Sequence, residues 1–289
     1  MALINEGASF PSFMWAVVRL LLVLGGKADA ESAKLLLTPP TLLAGETKEF
    51  SMAVKSLADL GVVADDDEVV ELTSAARALS PDDIAGFNGL LRHAALDPAR
   101  NEGLADSPDL DGPKDLVRAL AWFLMRDPLV PQGWESVAQF QRGAFASSLP
   151  PPFANEVRWG RFIYWAPALG FAAAPLIPKE GRSPLVPDCT VAVRETVLSL
   201  WREGQTVRAS EAVDRIVEEL PVLPGGRYSR MLGLTPPVGQ VAASLSNALL
   251  AGEMDGWLVF SSPSDADNIF LVDGSDTREV ALFTINGRA

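Results

Sequence analysis

The chain has 289 residues, room for two or three domains of about 100–150 residues each, and 48% of it is hydrophobic, so a buried core is expected and disorder is not the default. A net charge of −13 argues against strong nonspecific affinity for nucleic acid, which needs an excess of Lys and Arg to displace counterions from phosphate. One cysteine, Cys189, and one histidine, His93, cannot form an internal disulfide or the usual zinc site of three or four N and S ligands; a reducing, cytoplasmic compartment is expected.

The most apolar stretch, Phe13–Leu24, is about a dozen residues long and carries Arg19, against about 20 residues for a membrane span. Ala28-Asp29-Ala30 behind it imitates a signal-peptidase site, but the first twelve residues hold Glu6 and no Lys or Arg, so the positive start of an export signal is missing. Phe10–Gly26 reads as the first helix, with Phe13, Val17, Leu20, Leu21 and Leu24 at helical spacing, Ser9 as a candidate cap, Pro11 in the first turn and Gly25-Gly26 as the stop. Asp29–Leu37 is a short second helix, closed by Thr38-Pro39-Pro40. Glu46–Leu60 is the third, with Phe50, Val54, Leu57 and Leu60 on one stripe. Gly61 ends it, and Val62-Val63 and Val69–Leu72 form a hairpin around the acidic tip Asp65–Glu68. Helix, helix, longer helix, hairpin with short connections is the order of a winged helix-turn-helix, and residues 1–76 are expected to form one.

Residues 77–187 read as a helical, proline-rich middle region. Ser80 caps a helix running toward Ala95, with Pro81 at its first position and Asp82 and Asp83 in its first turn. Asp97–Pro113 reads as a linker, Lys114–Met125 as an apolar helix, and Trp134–Gln141 as another. Between Ser147 and Pro187 prolines recur around the aromatic segment Val157–Phe171, whose Trp159, Phe162, Tyr164, Trp165 and Phe171 are expected to be buried.

Residues 188–289 repeat the opening order. Cys189–Arg202 is a helix, Thr206–Arg208 a short strand, and Ala209–Leu220 a second helix. After the loop Pro221–Pro237, Val238–Ala251 is a third. Trp257–Phe260 and Ile269–Val272 are expected to pair as a hairpin around the loop Ser261–Asn268, with Val280–Ile285 adding a third strand. The expected fold is therefore mainly α, of the α+β class: two winged helix-turn-helix domains joined by the helical, proline-rich middle.

Chemistry-bearing patterns are sparse. There is no GxxxxGK[ST] loop, and Pro224-Gly225-Gly226-Arg227 lacks the strand–helix setting of a nucleotide fingerprint, so no cofactor is expected. His93 sits in a helical stretch beside Leu91 and Arg92. Cys189 follows Pro187-Asp188 at a helix start, where thiolates are stabilised, but an inert, semi-buried thiol is the simpler reading without a visible base. Asp65–Glu68 lacks the alternating ligands of a calcium loop and reads as a solvated turn that would repel a phosphate backbone. The third helix offers only Lys48 and Lys55 against Glu46, Glu49 and Asp59. Arg142–Arg230 is different, with eleven basic residues, Lys179 and Arg182 among them, and nine acids. There Arg158 and Arg161 interleave with Trp159, and Arg227-Tyr228-Ser229-Arg230 precedes the third helix of the second winged unit, at a turn that faces DNA in that fold. Lys48, Lys55, Arg158, Arg161, Arg227, Tyr228 and Arg230 are the candidate contacts to nucleic acid or a partner; pairing with nearby acids on a solvated surface is the simpler account.

FPSFMWAVVRLLLVLGG at the start, LADLGVV at the third helix end, the central WGRFIYWAPALGFA and the following LVPDCTVAVRETVLSLW together resemble the DpdG-type proteins. Those are encoded in bacterial clusters that insert 7-deazapurines into DNA and restrict foreign DNA. The resemblance implies a component of a multi-protein phage-defence system, non-enzymatic, and carries over no catalytic residues. The reading is then a cytoplasmic scaffold or adaptor, not an enzyme, acting through protein contacts inside a DNA-directed defence complex, with double-stranded DNA as a further candidate partner and no membrane. A DNA-binding regulator using the C-terminal unit is the alternative, and an enzyme with an unrecognised site a second one.

Overall fold

A computed structural model describes residues 2–5, 9–38, 48–66, 68–106, 108, 111–145, 149–177, 184–236, 238–263 and 267–287. Glu6, Pro39, Pro40, Glu46, Asp67, Ser147, Lys179, Arg182 and Pro237, named above, lie outside the described residues, as do parts of the loops 97–113 and 261–268. The protein is α+β: among the described residues, helices dominate and every strand pair is antiparallel. Two compact units arise, one comprising Met1–Glu102, Asp109–Leu116 and Val157–Leu169, the other Gly103–Pro108, Val117–Glu156 and Gly170–Ala289.

The first unit opens with α1 (Pro11–Val23), whose Met14, Val17, Val18 and Leu21 are buried at helical spacing. Ser9 does not cap it. Phe10 holds the cap position, and Ser9 is buried with its N–H donated to Ser56 Oγ at 3.1 Å, which in turn donates to the Met52 carbonyl at 2.7 Å. Gly26 turns the chain at φ 97°, with the Arg77 guanidinium 3.0 Å from where a Cβ would stand. There follow β1 (Lys27–Asp29), α2 (Ala30–Leu37), α3 (Glu49–Asp59), β2 (Val63–Asp65) and β3 (Val69–Leu72), with sheet order β1-β3-β2. Asp29 caps α2 by accepting the Ser32 N–H at 2.8 Å. Strand β1 was not expected: three residues show no alternation, and the pairing Lys27↔Glu71, Ala28↔Val70 is what makes them a strand. Val63↔Leu72 and Asp65↔Val70 close the anticipated hairpin.

Next come α4 (Ser74–Arg77) and α5 (Ile84–Leu96). The latter starts a turn later than Ser80-Pro81 suggested, because Asp83 is the cap, accepting the Gly86 N–H at 2.8 Å; a Cβ at Gly86 would stand 2.2 Å from that carboxylate. Helix α6 (Lys114–Phe123) begins in this unit. In α8 (Glu156–Ala168), Trp159, Phe162 and Trp165 are buried as expected, whereas Tyr164 is 54% exposed.

The second unit holds α7 (Trp134–Phe140), the two-residue strands β4 (Ala172–Ala173) and β5 (Val186–Pro187), then α9 (Thr190–Leu200), β6 (Thr206–Arg208), α10 (Ala209–Glu219), α11 (Arg227–Met231), α12 (Ala243–Met254), β7 (Leu258–Ser261), β8 (Ile269–Asp273), β9 (Asp276–Val280) and β10 (Leu282–Ile285). The expected hairpin of β7 with β8 does not form. Instead β7 pairs with β10 through Leu258↔Ile285 and Phe260↔Phe283, β10 also pairs with β6, and the sheet order is β6-β10-β7. Strand β8 folds onto β9, unanticipated in the charged run Asp276-Thr277-Arg278-Glu279, through a tight turn with Gly274 at φ 62°. The loop read as a hairpin tip therefore links two different sheets. With α11 and the β8–β9 hairpin set aside as insertions, α9 to β10 repeat the order helix, strand, helix, helix, strand, strand of α1 to β3, in each case with the last strand between the other two.

Candidate functional site

In the first unit, the charges of interest lie on the outer face of α3 and at the β2–β3 tip. Lys48 and Lys55 are exposed on α3, seven residues apart and so on one face about 10 Å apart. Glu49 and Asp59 are exposed beside them. The tip is acidic: Asp65, Asp66 and Glu68 are exposed, Asp66 accepts the Val69 N–H at 2.8 Å, and Glu71 on β3 is paired with Arg77. Arg100 is spent on the helix end, donating to the Asp59 carbonyl at 2.8 Å across Gly61, where a Cβ would stand 2.6 Å from its guanidinium. An apolar groove of about 340 Å³ lies between α1 and α3, lined by Phe13, Val17, Leu37, Phe50 and Ala53, with Glu49 as the one ionisable residue among its described walls.

Arg158 and Arg161 lie on α8 in the same unit, both half-buried. Burial pushes the Arg158 pKa down, and the negative charge of Asp115 pulls it back up. Asp115, which sequence reasoning missed, is the most enclosed carboxylate of the site. It sits 2% exposed in the first turn of α6 and accepts the N–H groups of Leu3, Ile4 and Asn5 at 3.0, 2.7 and 2.7 Å, and that of Leu116 at 2.7 Å. Burial pushes its pKa up, and the four N–H donors only partly oppose this. An acid at the head of the apolar run 116–124 was the available signal; partners more than a hundred residues away were not readable.

In the second unit, only Met254 of the twelve residues of α12 is exposed. The helix contains no Lys or Arg. It packs against α9, β7 and β8. Ser244 Oγ donates to the Leu124 carbonyl at 2.8 Å, and Gly252 presses on the Trp257 ring so closely that a Cβ would stand 2.5 Å from it. The β8–β9 hairpin covers the helix: Val241 N–H donates to the Phe270 carbonyl at 2.8 Å, Val272 N–H donates to Ser246 Oγ at 3.0 Å, and Arg278 forks onto the Glu253 carboxylate, its Nη2 2.6 Å from Oε1, while stacking 5.1 Å above the Phe260 ring.

The residues preceding α12 behave differently. Arg227 and Arg230 are exposed on one face of α11, whereas Tyr228, 1% exposed, and Ser229, 0% exposed, face inward. The sequence candidates therefore fall into three groups: Lys48 with Lys55 on α3, Arg158 near Arg161 on α8, and Arg227 with Arg230 on α11. Tyr228 is buried beneath the last of these groups.

Groups suited to proton transfer or nucleophilic attack are dispersed. Cys189 is 0% exposed and donates to the Ser244 carbonyl at 3.3 Å; burial, and secondarily the charge of Asp188, push its thiol pKa well above the usual range. His93 is exposed on α5. Among the described residues no three His, Cys, Asp or Glu side chains converge as metal ligands, and no helix is long and apolar enough to cross a membrane.

A protein family described as DpdG-like matches residues 1–266. No curated protein and no solved structure matches the chain.

Proposed function

The chain belongs to the DpdG-like family, and from that premise we propose that it is a non-enzymatic scaffold or adaptor of a bacterial DNA-directed anti-phage defence complex. The family suggests a role in a DNA-modification and defence cluster. In this reading each repeat of helix, strand, helix, helix, strand, strand is a winged helix, one at each end of the chain, turned to protein contacts in the cytoplasm.

The observation that carries the reading is the covered state of α12. A winged helix that reads a major groove needs an open third helix with donors for base edges and cations for phosphate. Here that helix has no cation, and its own hairpin lies over it. The acidic β2–β3 tip points the same way, since a wing of this charge is repelled by phosphate. Exposed Arg227 and Arg230 are what favours the second reading, a DNA-binding regulator using the C-terminal unit.

Titration of the purified protein against duplex DNA at low and at physiological salt separates the two. The scaffold reading predicts no binding that survives physiological salt. Tight binding with a steep salt dependence, lost in Arg227→Ala/Arg230→Ala, would overturn it in favour of the regulator.

A further inference from the structure

Resting on the scaffold reading, we propose that α11 is the partner-docking surface of the second unit and that its partner is a carboxylate-rich segment of another protein, gripped by Arg227 and Arg230. Three residues apart on a helix, the two side chains leave one face with Cβ atoms about 5–6 Å apart. Neither has an ion-pair partner among the described residues, whereas Arg208, Arg215 and Arg278 of the same unit each have a Glu within 4 Å.

The platform beneath them is fixed. Between the arginines, Tyr228 and Ser229 are buried. Tyr228 N–H donates to the Pro221 carbonyl at 2.9 Å, and Gly225 N–H donates to Ser229 Oγ at 3.0 Å. Gly226 fits only because it has no Cβ, which would stand 2.5 Å from the Pro221 carbonyl oxygen. A short helix held this way leaves only the arginine side chains, not the backbone, to be ordered at binding. Guanidinium groups match carboxylates by two parallel hydrogen bonds, and two such groups side by side on one face suit a segment with neighbouring carboxylates. Duplex DNA fits less well. Two phosphate contacts give a salt slope of only about two, too few to hold duplex DNA at physiological salt when α12 is covered.

The test places a benzophenone amino acid at Met231, on the same face of α11 and 37% exposed, and at Lys55 of α3 as a second site, in the full chain expressed with its genomic neighbours. Photo-crosslinking followed by peptide sequencing should give a Met231 adduct to a protein segment with carboxylates at neighbouring positions. Its yield should fall at least about tenfold in Arg227→Glu/Arg230→Glu and by less in Arg227→Lys/Arg230→Lys, which keeps the charge and loses the fork, with unchanged thermal unfolding in both. An adduct to DNA, or a protein adduct indifferent to charge reversal, would overturn the proposal. Protein adducts at Lys55 with none at Met231 would overturn this surface and leave the scaffold reading intact; no protein adduct at either site would overturn both.

Discussion

Three successive N–H groups, those of Leu3, Ile4 and Asn5, converge on Asp115, so Asp115→Ala would leave them without an acceptor inside the first unit. The expected loss is about 1–3 kcal/mol in urea unfolding, with amide exchange accelerated first at these three positions. The carboxyl also has a pH signature. Its folded pKa lies above the unfolded 3.8, so the stability it contributes is full below that value and is lost as pH rises through the folded one. Relative to Asp115→Asn, which cannot titrate, the wild type should therefore lose stability between acid and neutral pH, and a constant difference would contradict the assignment. Gly252→Ala drives a methyl into the buried Trp257 ring and should destabilise by about 1–3 kcal/mol, with a change in tryptophan emission. Cys189, buried and with a raised pKa, should resist thiol reagents in the native protein at neutral pH and react at once in denaturant; fast native labelling would contradict its placement.

At the scale of elements, the Arg278–Glu253 fork is the electrostatic part of the hairpin's hold on α12. Its side chains are 42% and 28% exposed, so a double-mutant cycle with Arg278→Ala and Glu253→Ala should give a coupling of about 0.5–1 kcal/mol, smaller in high salt. A coupling near zero would leave the backbone bonds of Val241 and Val272 as the whole attachment. How far such elements could be read in advance depended on whether their cause is local. The helices α1, α3, α8 and α9 are visible because their apolar side chains recur with helical period, and β2–β3 because two valine-rich pieces flank an acidic turn. Strand β1 is too short to have a period, and β9 is a strand only because β8 lies beside it. The apolarity of Trp257–Phe260 and Ile269–Val272 announced two strands but not their partners. Pairing is decided by which edge each finds, and β7 finds β10, over twenty residues further along the chain. The candidate site followed the same rule. Arg227 and Arg230 were legible as charges; the burial of Tyr228 between them and the covering of α12 were not, because both depend on residues distant in sequence.

For the whole molecule, on the proposed winged-helix reading, charge and fold pull apart the two properties that a DNA-binding winged helix combines. The three-stranded sheet order recurs in both units, yet the first carries an acidic tip and the second closes α12 under its own hairpin. The exposed cations are scattered, with Arg227 and Arg230 of α11 adjacent on one face, and on the proposed reading they serve a protein partner more than a polyanion. The most direct measurement is the mass and composition of the complex purified under native conditions, at physiological salt and after nuclease treatment, from cells carrying the chain with its genomic neighbours. The account predicts a nuclease-resistant assembly with a second protein at fixed stoichiometry. Recovery of the chain alone after nuclease, from material that had contained DNA, would contradict it.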